Sequence, residues 1–275
     1  MTTVAGLMRA STLPALETRI LLEHVLGWRR TELITRDDEE LAAESVGRFD
    51  ALAHRRATGE PIAQLVGTRE FFGLEFKVTP DVLIPRPETE LLVEIALEQM
   101  AGLEAPRVLD LGTGSGAIAV AIAFSHNDAQ VWAVDQSAEA LAVAARNALK
   151  LLGMDRPLNL LQSNWTDALD PALRFEVIVS NPPYIAQNDP HLSEGDLRFE
   201  PRTALTDEAD GLAAIRTIVQ TAPFFLATGG SLWLEHGYDQ AADVRALLTA
   251  RGFSDVRSKR DLADIERVSG GFFTA

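Results

Sequence analysis

Arg107–Val108–Leu109–Asp110–Leu111 reads as a buried strand, and it runs straight into Gly112–Thr113–Gly114–Ser115–Gly116. A small-residue helix pattern follows from Ile118 to Phe124. A strand that feeds a helix through closely spaced glycines limits the fold more than any other feature of this chain. Glycines let the backbone turn tightly and let a ligand lie against it. The surrounding pattern agrees. A helix runs through Leu91, Leu92 and Ile95. Strand Val131 to Asp135 precedes an alanine-rich helix from Ser137 to about Leu152. Leu158–Leu160–Leu161 and Val177–Ile178–Val179–Ser180 supply two further strands, and Ser231 to Glu235 a fifth. Helices are expected from about Gly211 to Leu226 and from about Tyr238 to Arg251, with short terminal strands near Val256 and Phe272. Alternation of this kind predicts an α/β fold, a mostly parallel sheet with helices on both faces.

The first part of the chain has a different period. Pro14 suits a first helical turn, with Leu16, Ile20, Leu22, Val25 and Leu26 as an apolar face and Gly27 as a stop. A second helix follows Asp37–Asp38, with Leu41, Phe49 and Leu52 inward, and ends near Gly59–Glu60–Pro61. Phe72, Leu74, Phe76 and Val78 then alternate at strand spacing. Val82–Leu83–Ile84 is expected to be the partner strand of a hairpin. The expected domains are a helical one over 1–70, a linking hairpin over 71–86 and a larger α/β domain over 87–275.

Composition excludes several classes. The 275 residues carry 25 basic and 40 acidic side chains, a net charge of −15. That balance disfavours holding a long stretch of nucleic acid through its phosphates. Residues 1–85 account for −3 of this charge and residues 86–275 for −12. No apolar run reaches the ~18–20 residues of a membrane span, and Met1 to Ala10 does not read as a signal peptide. Cysteine is absent, which removes disulfides, thiolate metal sites and cysteine nucleophiles. The only lysines are Lys77, Lys150 and Lys259, and the five histidines show no metal-binding spacing. No metal and no membrane are expected, and the cytoplasm is the expected compartment.

The loop spacing is G-x-G-x-G, whereas a dinucleotide loop is usually G-x-G-x-x-G. It also lacks the lysine of a phosphate-binding P-loop. A plain tight turn would account for the loop alone. Asp135 adds a second sign. It ends the next strand, 19 residues after Gly116, where a carboxylate can accept hydrogen bonds from both ribose hydroxyls of an adenosine ligand. Together they point to S-adenosylmethionine (SAM).

Asn181–Pro182–Pro183–Tyr184 follows the strand that ends at Ser180. Two prolines fix the backbone and remove its donors, so carbonyls are left without a competing N–H. The Asn181 side-chain carbonyl and the Pro182 backbone carbonyl can each take one hydrogen of a planar –NH2 group. Tyr184 can stack on the flat group that carries it. A rigid turn with a packed tyrosine is the alternative.

With these two elements, the chain resembles the class I (Rossmann-like) SAM-dependent methyltransferases that modify amide or exocyclic amine nitrogens. Further segments resemble the release factor glutamine N5-methyltransferases in particular. They are Leu83–Ile84–Pro85–Arg86–Pro87–Glu88–Thr89–Glu90, Glu200–Pro201–Arg202–Thr203–Ala204–Leu205, Asp210–Gly211–Leu212, and Leu234–Glu235–His236–Gly237–Tyr238–Asp239–Gln240. The helical N-terminal region and the Arg260–Asp261–Leu262…Arg267–Val268 ending fit the same family. Ala263–Asp264–Ile265–Glu266 departs from it, since a glycine is more common there.

The resemblance implies that Gly112, Thr113, Gly114, Ser115 and Gly116 line the methionine and ribose part of SAM. Asp135 would hold the ribose, and Trp165 would lie near the adenine. Asn181, Pro182, Pro183 and Tyr184 would hold the substrate glutamine amide, with Asn181 also near the cofactor. It implies a catalytic role for Asn181, Pro182 and Tyr184, a peptide chain release factor as partner, and S-adenosylhomocysteine as product. The N-terminal domain would dock that substrate. A monomer without direct nucleic-acid contact is expected. Direct in-line transfer is expected, because no cysteine is present and no lysine lies in the motif. Ribosomal-protein glutamine methylation is the nearest alternative, and adenine N6-methylation a more distant one.

Overall fold

A computed structural model describes residues 1–274. The chain divides into two units. The first comprises Met1–Thr68 with Glu194–Phe199, and the second Arg69–Ser193 with Glu200–Ala275.

The first unit is helical: α1 (Val4–Ala10), α2 (Ala15–Leu26), α3 (Arg30–Thr35), α4 (Ala43–Ala57) and α5 (Ile62–Val66). The Thr3 hydroxyl accepts from the Gly6 amide at the start of α1, which satisfies one of the donors a helix start leaves free. Gly27 ends α2 in the left-handed region, with φ of 66°. The inward face of α2 is Thr18, Leu21, Leu22 and Val25, an i, i+3, i+4, i+7 stripe. This shifts the expected face: Leu16 is exposed and Leu21 is fully buried. Pro14 sits just before the first turn rather than in it. Leu7, Leu33, Phe49 and Leu65 complete this core. The Arg56 guanidinium grips Glu17 through two bonds of 2.8 Å and reaches Asp196 at 2.9 Å. Helices α1, α3 and α5 were not expected. They have at most seven residues, too few for a clear 3.6-residue period, and packing must stabilise helices that short.

The second unit opens with a hairpin of β1 (Thr68–Phe71) and β2 (Leu74–Lys77). The turn is Phe72–Gly73, both at positive φ (52° and 74°), as tight hairpin turns require. The expected pairing with Val82–Leu83–Ile84 does not occur, and those residues lie in no strand. Val82 and Ile84 are nonetheless buried. Their apolar side chains are needed for packing, which strand spacing alone does not distinguish from pairing.

The main sheet contains β3 (Arg107–Leu111), β4 (Gln130–Asp135), β5 (Asn159–Gln162), β6 (Phe175–Ser180), β7 (Leu226–Glu235), β8 (Ser254–Arg260) and β9 (Glu266–Phe272). Their order is β5-β4-β3-β6-β7-β9-β8. The first five strands are parallel, and β9 pairs antiparallel with both β7 and β8. Helices α6 (Glu90–Met100), α7 (Ala117–Ser125) and α8 (Ala138–Leu152) cover one face. After a short α9 (Arg202–Leu205), α10 (Ala213–Thr221) and α11 (Ala241–Arg251) cover the other. Strand residues alternate between these cores: Val108 and Val177 on one side, Leu109 and Ile178 on the other. Helix α10 is shorter than expected, because Pro223 lies in a tight turn and Leu226 already begins β7.

The strand order reverses at β3. The chain goes from β3 outward to β4 and β5, then returns to place β6 on the other side of β3. Such a switch point leaves a crevice at the carboxyl ends of the strands. Leu111 pairs with Val134 and Ser180, and Ser180 pairs with Leu234. The register therefore brings the loops after β3, β4 and β6 to one level, with Glu235 closing β7 beside them.

Candidate active site

A cavity occupies this crevice, and the glycine loop forms its floor. The Gly112 and Thr113 amides both donate to the Val134 carbonyl, at 2.8 and 2.9 Å. Gly112, Gly114 and Gly116 have φ of 74°, 55° and 80°, which side chains with a Cβ rarely adopt. At Gly116 space matters too: a Cβ would lie 3.0 Å from the Ala144 Cβ on α8. This glycine thus lets α7 approach α8, and it does not line the cavity. Gly112, Thr113, Gly114 and Ser115 do.

Asp135 also lines the cavity. Its Oδ2 accepts from the Gly114 amide at 2.8 Å and its Oδ1 from the Ser137 amide at 2.9 Å. Two backbone donors thus aim the carboxylate while leaving it lone pairs for a ligand. Trp165 lines the same cavity, beside Gly112, where a Cβ would meet the indole ring at 3.4 Å. Its backbone is held at φ of 50°, a strained conformation for a bulky residue.

Two side chains that the sequence reading did not single out hold this loop. Asp110 is fully buried, and its Oδ2 accepts from the Thr113 hydroxyl at 2.7 Å. Burial raises its pKa to about 7, against the lowering effect of the hydrogen bond from Thr113. Asn147 on α8 donates to the Ser115 carbonyl at 2.8 Å, and it also bonds the Lys77 backbone at both N–H and C=O. It ties the loop to the end of β2. A charged residue in a buried strand and an asparagine in an alanine-rich helix were the available signals.

The Asn181–Tyr184 element leaves β6 at Ser180, whose hydroxyl donates to the Leu111 carbonyl at 2.6 Å. Asn181 and Pro183 line the cavity, whereas Pro182 is buried and Tyr184 is not in the lining. Asn181 Nδ2 donates to Thr89 Oγ1 at 3.1 Å. Among the described residues no donor meets Asn181 Oδ1. The Tyr184 ring packs against the core under α10 and α11. Its hydroxyl donates to Glu235 Oε1 at 3.2 Å, and its carbonyl accepts from Gln240 Nε2 at 3.0 Å. Burial and the neighbouring Glu235 charge raise the pKa of the phenol, so it stays a donor.

The remaining wall comes from Asp81 to Thr89. Arg86 lines the cavity and donates through Nη2 to Glu200 Oε1. Glu200 Oε2 accepts from the Ile84 amide at 2.8 Å. One buried carboxylate thus clasps this segment to the start of the Glu200–Leu205 stretch. A carboxylate with free lone pairs, a glycine backbone that a ligand can approach closely and an indole ring meet in one cavity, and these suit an adenosine ligand, so the residues fit SAM.

Comparison with known proteins gives the same picture. A model of the PrmC N-terminal domain matches residues 4–67, and one of the methyltransferase small domain matches residues 87–195. A T. thermophilus 16S rRNA methyltransferase, solved with AdoMet and guanosine, superposes with a TM-score of 0.53 at 21% identity. It covers 74% of this chain and 49% of that one, and its likeness is one of fold. The release factor glutamine methyltransferase of Escherichia coli is 46% identical over 265 residues, spanning 96% of this chain and 94% of that protein. Its counterpart in Burkholderia pseudomallei is 68% identical over 272 residues, spanning 98% of this chain and 95% of that protein. Similarity of this extent spans nearly the whole chain, and the chain belongs to the release factor glutamine methyltransferase family.

Proposed function

We propose that the cavity brings SAM and the glutamine of a peptide chain release factor together for direct methyl transfer to the side-chain amide nitrogen, N5, in the Gly-Gly-Gln motif. The chain is a SAM-dependent release factor glutamine methyltransferase. In this reading Gly112 to Ser115 cradle the methionine and ribose part, with Gly116 shaping the loop from behind. Asp135 accepts from the ribose hydroxyls and Trp165 covers the adenine. SAM, when bound, supplies an electrophilic methyl on a sulfonium.

The protein's own part is orientation. An amide nitrogen is a weak nucleophile because its lone pair is delocalised into the carbonyl. Asn181 Oδ1 and the Pro182 carbonyl accept its two hydrogens and favour the positive charge that develops on nitrogen. The observation that carries this reading is the bond from Asn181 Nδ2 to Thr89, which turns Oδ1 away as a free acceptor. Tyr184 supports the element from behind, through its ring packing and its bond to Glu235. This is a different use from stacking on the substrate.

Residues 1–70 dock the release factor and 71–86 link that region to the catalytic domain over 87–275. The protein acts as a monomer in the cytoplasm without binding nucleic acid directly. No helix among the described residues is long and apolar enough to cross a membrane. Incubation with labelled SAM and purified release factors tests the assignment. Label should enter the wild-type factor and be absent once the Gly-Gly-Gln glutamine is replaced. An unlabelled wild-type factor rejects the reading.

A further inference from the structure

The transfer chemistry described above gives Arg86 no part. Among the described residues it is the one cationic side chain that lines the cavity, and the other charged ones that line it, Asp81 and Asp135, are acidic. The Arg86 side chain is 30% exposed. Its Nη2 donates to Glu200 Oε1. The Glu200 side chain is fully buried, and its Oε2 accepts from the Ile84 amide at 2.8 Å. A guanidinium carries five N–H donors, so this clasp fixes the group and leaves most of its donors unused. Nε and Nη1 meet no acceptor among the described residues.

The place of Arg86 along the cavity follows from the strand order. Trp165 comes after β5, Asp135 ends β4, the glycine loop follows β3 and Asn181 follows β6, and these strands lie side by side in that order. SAM runs adenine, ribose, sulfonium, amino acid. With the adenine at Trp165 and the ribose at Asp135, its amino-acid end falls on the β6 side. Arg86 stands there too. The Thr89 amide donates to the Arg86 carbonyl at 3.1 Å, closing one tight turn, and Thr89 Oγ1 accepts from Asn181 Nδ2 at 3.1 Å.

The sulfonium and the α-amino group of SAM are cationic, and its α-carboxylate is the one anion of the molecule. We propose that Arg86 binds this α-carboxylate through the N–H groups that Glu200 leaves free. Hydrogen bonds between a guanidinium and a carboxylate are among the strong ones. Glu200 steadies the guanidinium but also repels a second carboxylate. So does Asp81 on the same wall, whose Oδ2 accepts from the Thr79 hydroxyl at 2.9 Å. The expected contribution is therefore ~10-fold in affinity, the low end for hydrogen bonds to a charged group. The proposal rests on the reading of this cavity as the SAM site.

The test is calorimetry on the full-length protein with two ligands: SAM, and its decarboxylated form, in which a hydrogen replaces the carboxylate. The readout is the ratio of the two dissociation constants, which cancels any loss of shape that both ligands feel alike. Arg86→Gln should weaken SAM binding ~10-fold and change binding of the decarboxylated form less than about twofold, so the preference for SAM falls ~10-fold. A structural role alone predicts an equal loss for both ligands, and an unmoved ratio overturns the proposal. Arg86→Gln also leaves the buried Glu200 carboxylate with one partner fewer, which is costly. Should that variant fold poorly, Arg86→Gln combined with Glu200→Gln removes the charge, and its ratio decides in the same way. A raised KM for the release factor beside an unmoved ratio gives Arg86 to the protein substrate and likewise overturns the proposal. The two levels stay separate: a wild-type protein that binds neither ligand removes the SAM assignment itself, whereas SAM binding with an unmoved ratio removes only the role of Arg86.

Discussion

The loops after β3 and β6 leave neighbouring strands at the same level, since Leu111 pairs with Ser180, yet they are built on opposite principles. The first uses glycine. Its backbone turns through left-handed conformations, and the next strand and helix hold most of it in place, through Val134, Asp135 and Asn147. The second uses proline. Its backbone is stiff and donor-poor, and its one flexible polar side chain, Asn181, is aimed by Thr89, which lies 92 residues earlier in the chain. A loop that binds through backbone needs conformational freedom that only glycine supplies. A loop that acts through one side chain needs rigidity and a buried partner to orient it.

The largest expected effect is on the second loop. Asn181→Ala should reduce turnover ~10²–10³-fold, the usual loss when a preorganised polar group is removed, while calorimetry finds SAM affinity unchanged. Near-normal turnover would place the substrate grip elsewhere.

The first loop should be the more sensitive to pH in its stability. Asp110 has a folded pKa of about 7, above its ordinary value, so folding favours its protonated form. Its contribution is fully present below about pH 4 and is lost as pH rises to about 7, by up to ~4 kcal/mol. Asp110→Asn should remove that part of the slope, seen as a larger gain in Tm at pH 8 than at pH 5. Equal gains at both would mean that Asp110 is ionised at little cost.

Asp135→Ala should weaken SAM affinity by ~10–100-fold, because hydrogen bonds to a charged group contribute about 1.5–3 kcal/mol. An unchanged dissociation constant would remove Asp135 from the ribose. The smallest effect separates two glycines. Gly116→Ala should cost about 1–3 kcal/mol, from positive φ and the contact with Ala144. Gly47→Ala, within α4 and with nothing within 4 Å, should instead gain about 0.5–1 kcal/mol. Equal Tm shifts for the two would mean that backbone freedom at Gly116 is not needed.

Legibility differed between these regions for physical reasons. The glycine loop and Asp135 are readable because backbone conformation and strand-end position are local properties. The roles of Pro182 and Tyr184 are less so. Both belong to a readable motif, but Pro182 is buried, and a tyrosine bonded to Glu235 could be distinguished from one stacked on substrate only once β7 lay beside β6. Val82 to Ile84 show the same limit from the other side. Their apolar spacing marks burial correctly and says nothing of whether strand pairing or core packing buries them.

The sequence by itself determined the α/β class, the two loops, the cofactor and the family, because each rests on residue types at fixed spacing along the chain. Tertiary structure decided which of those residues face the cavity and which brace it. It paired Asn181 with Thr89 and Tyr184 with Glu235, and it joined Arg86 to Glu200. Such partners lie far apart in sequence, and a buried polar group acquires its partner only when the sheet register sets the strand ends side by side.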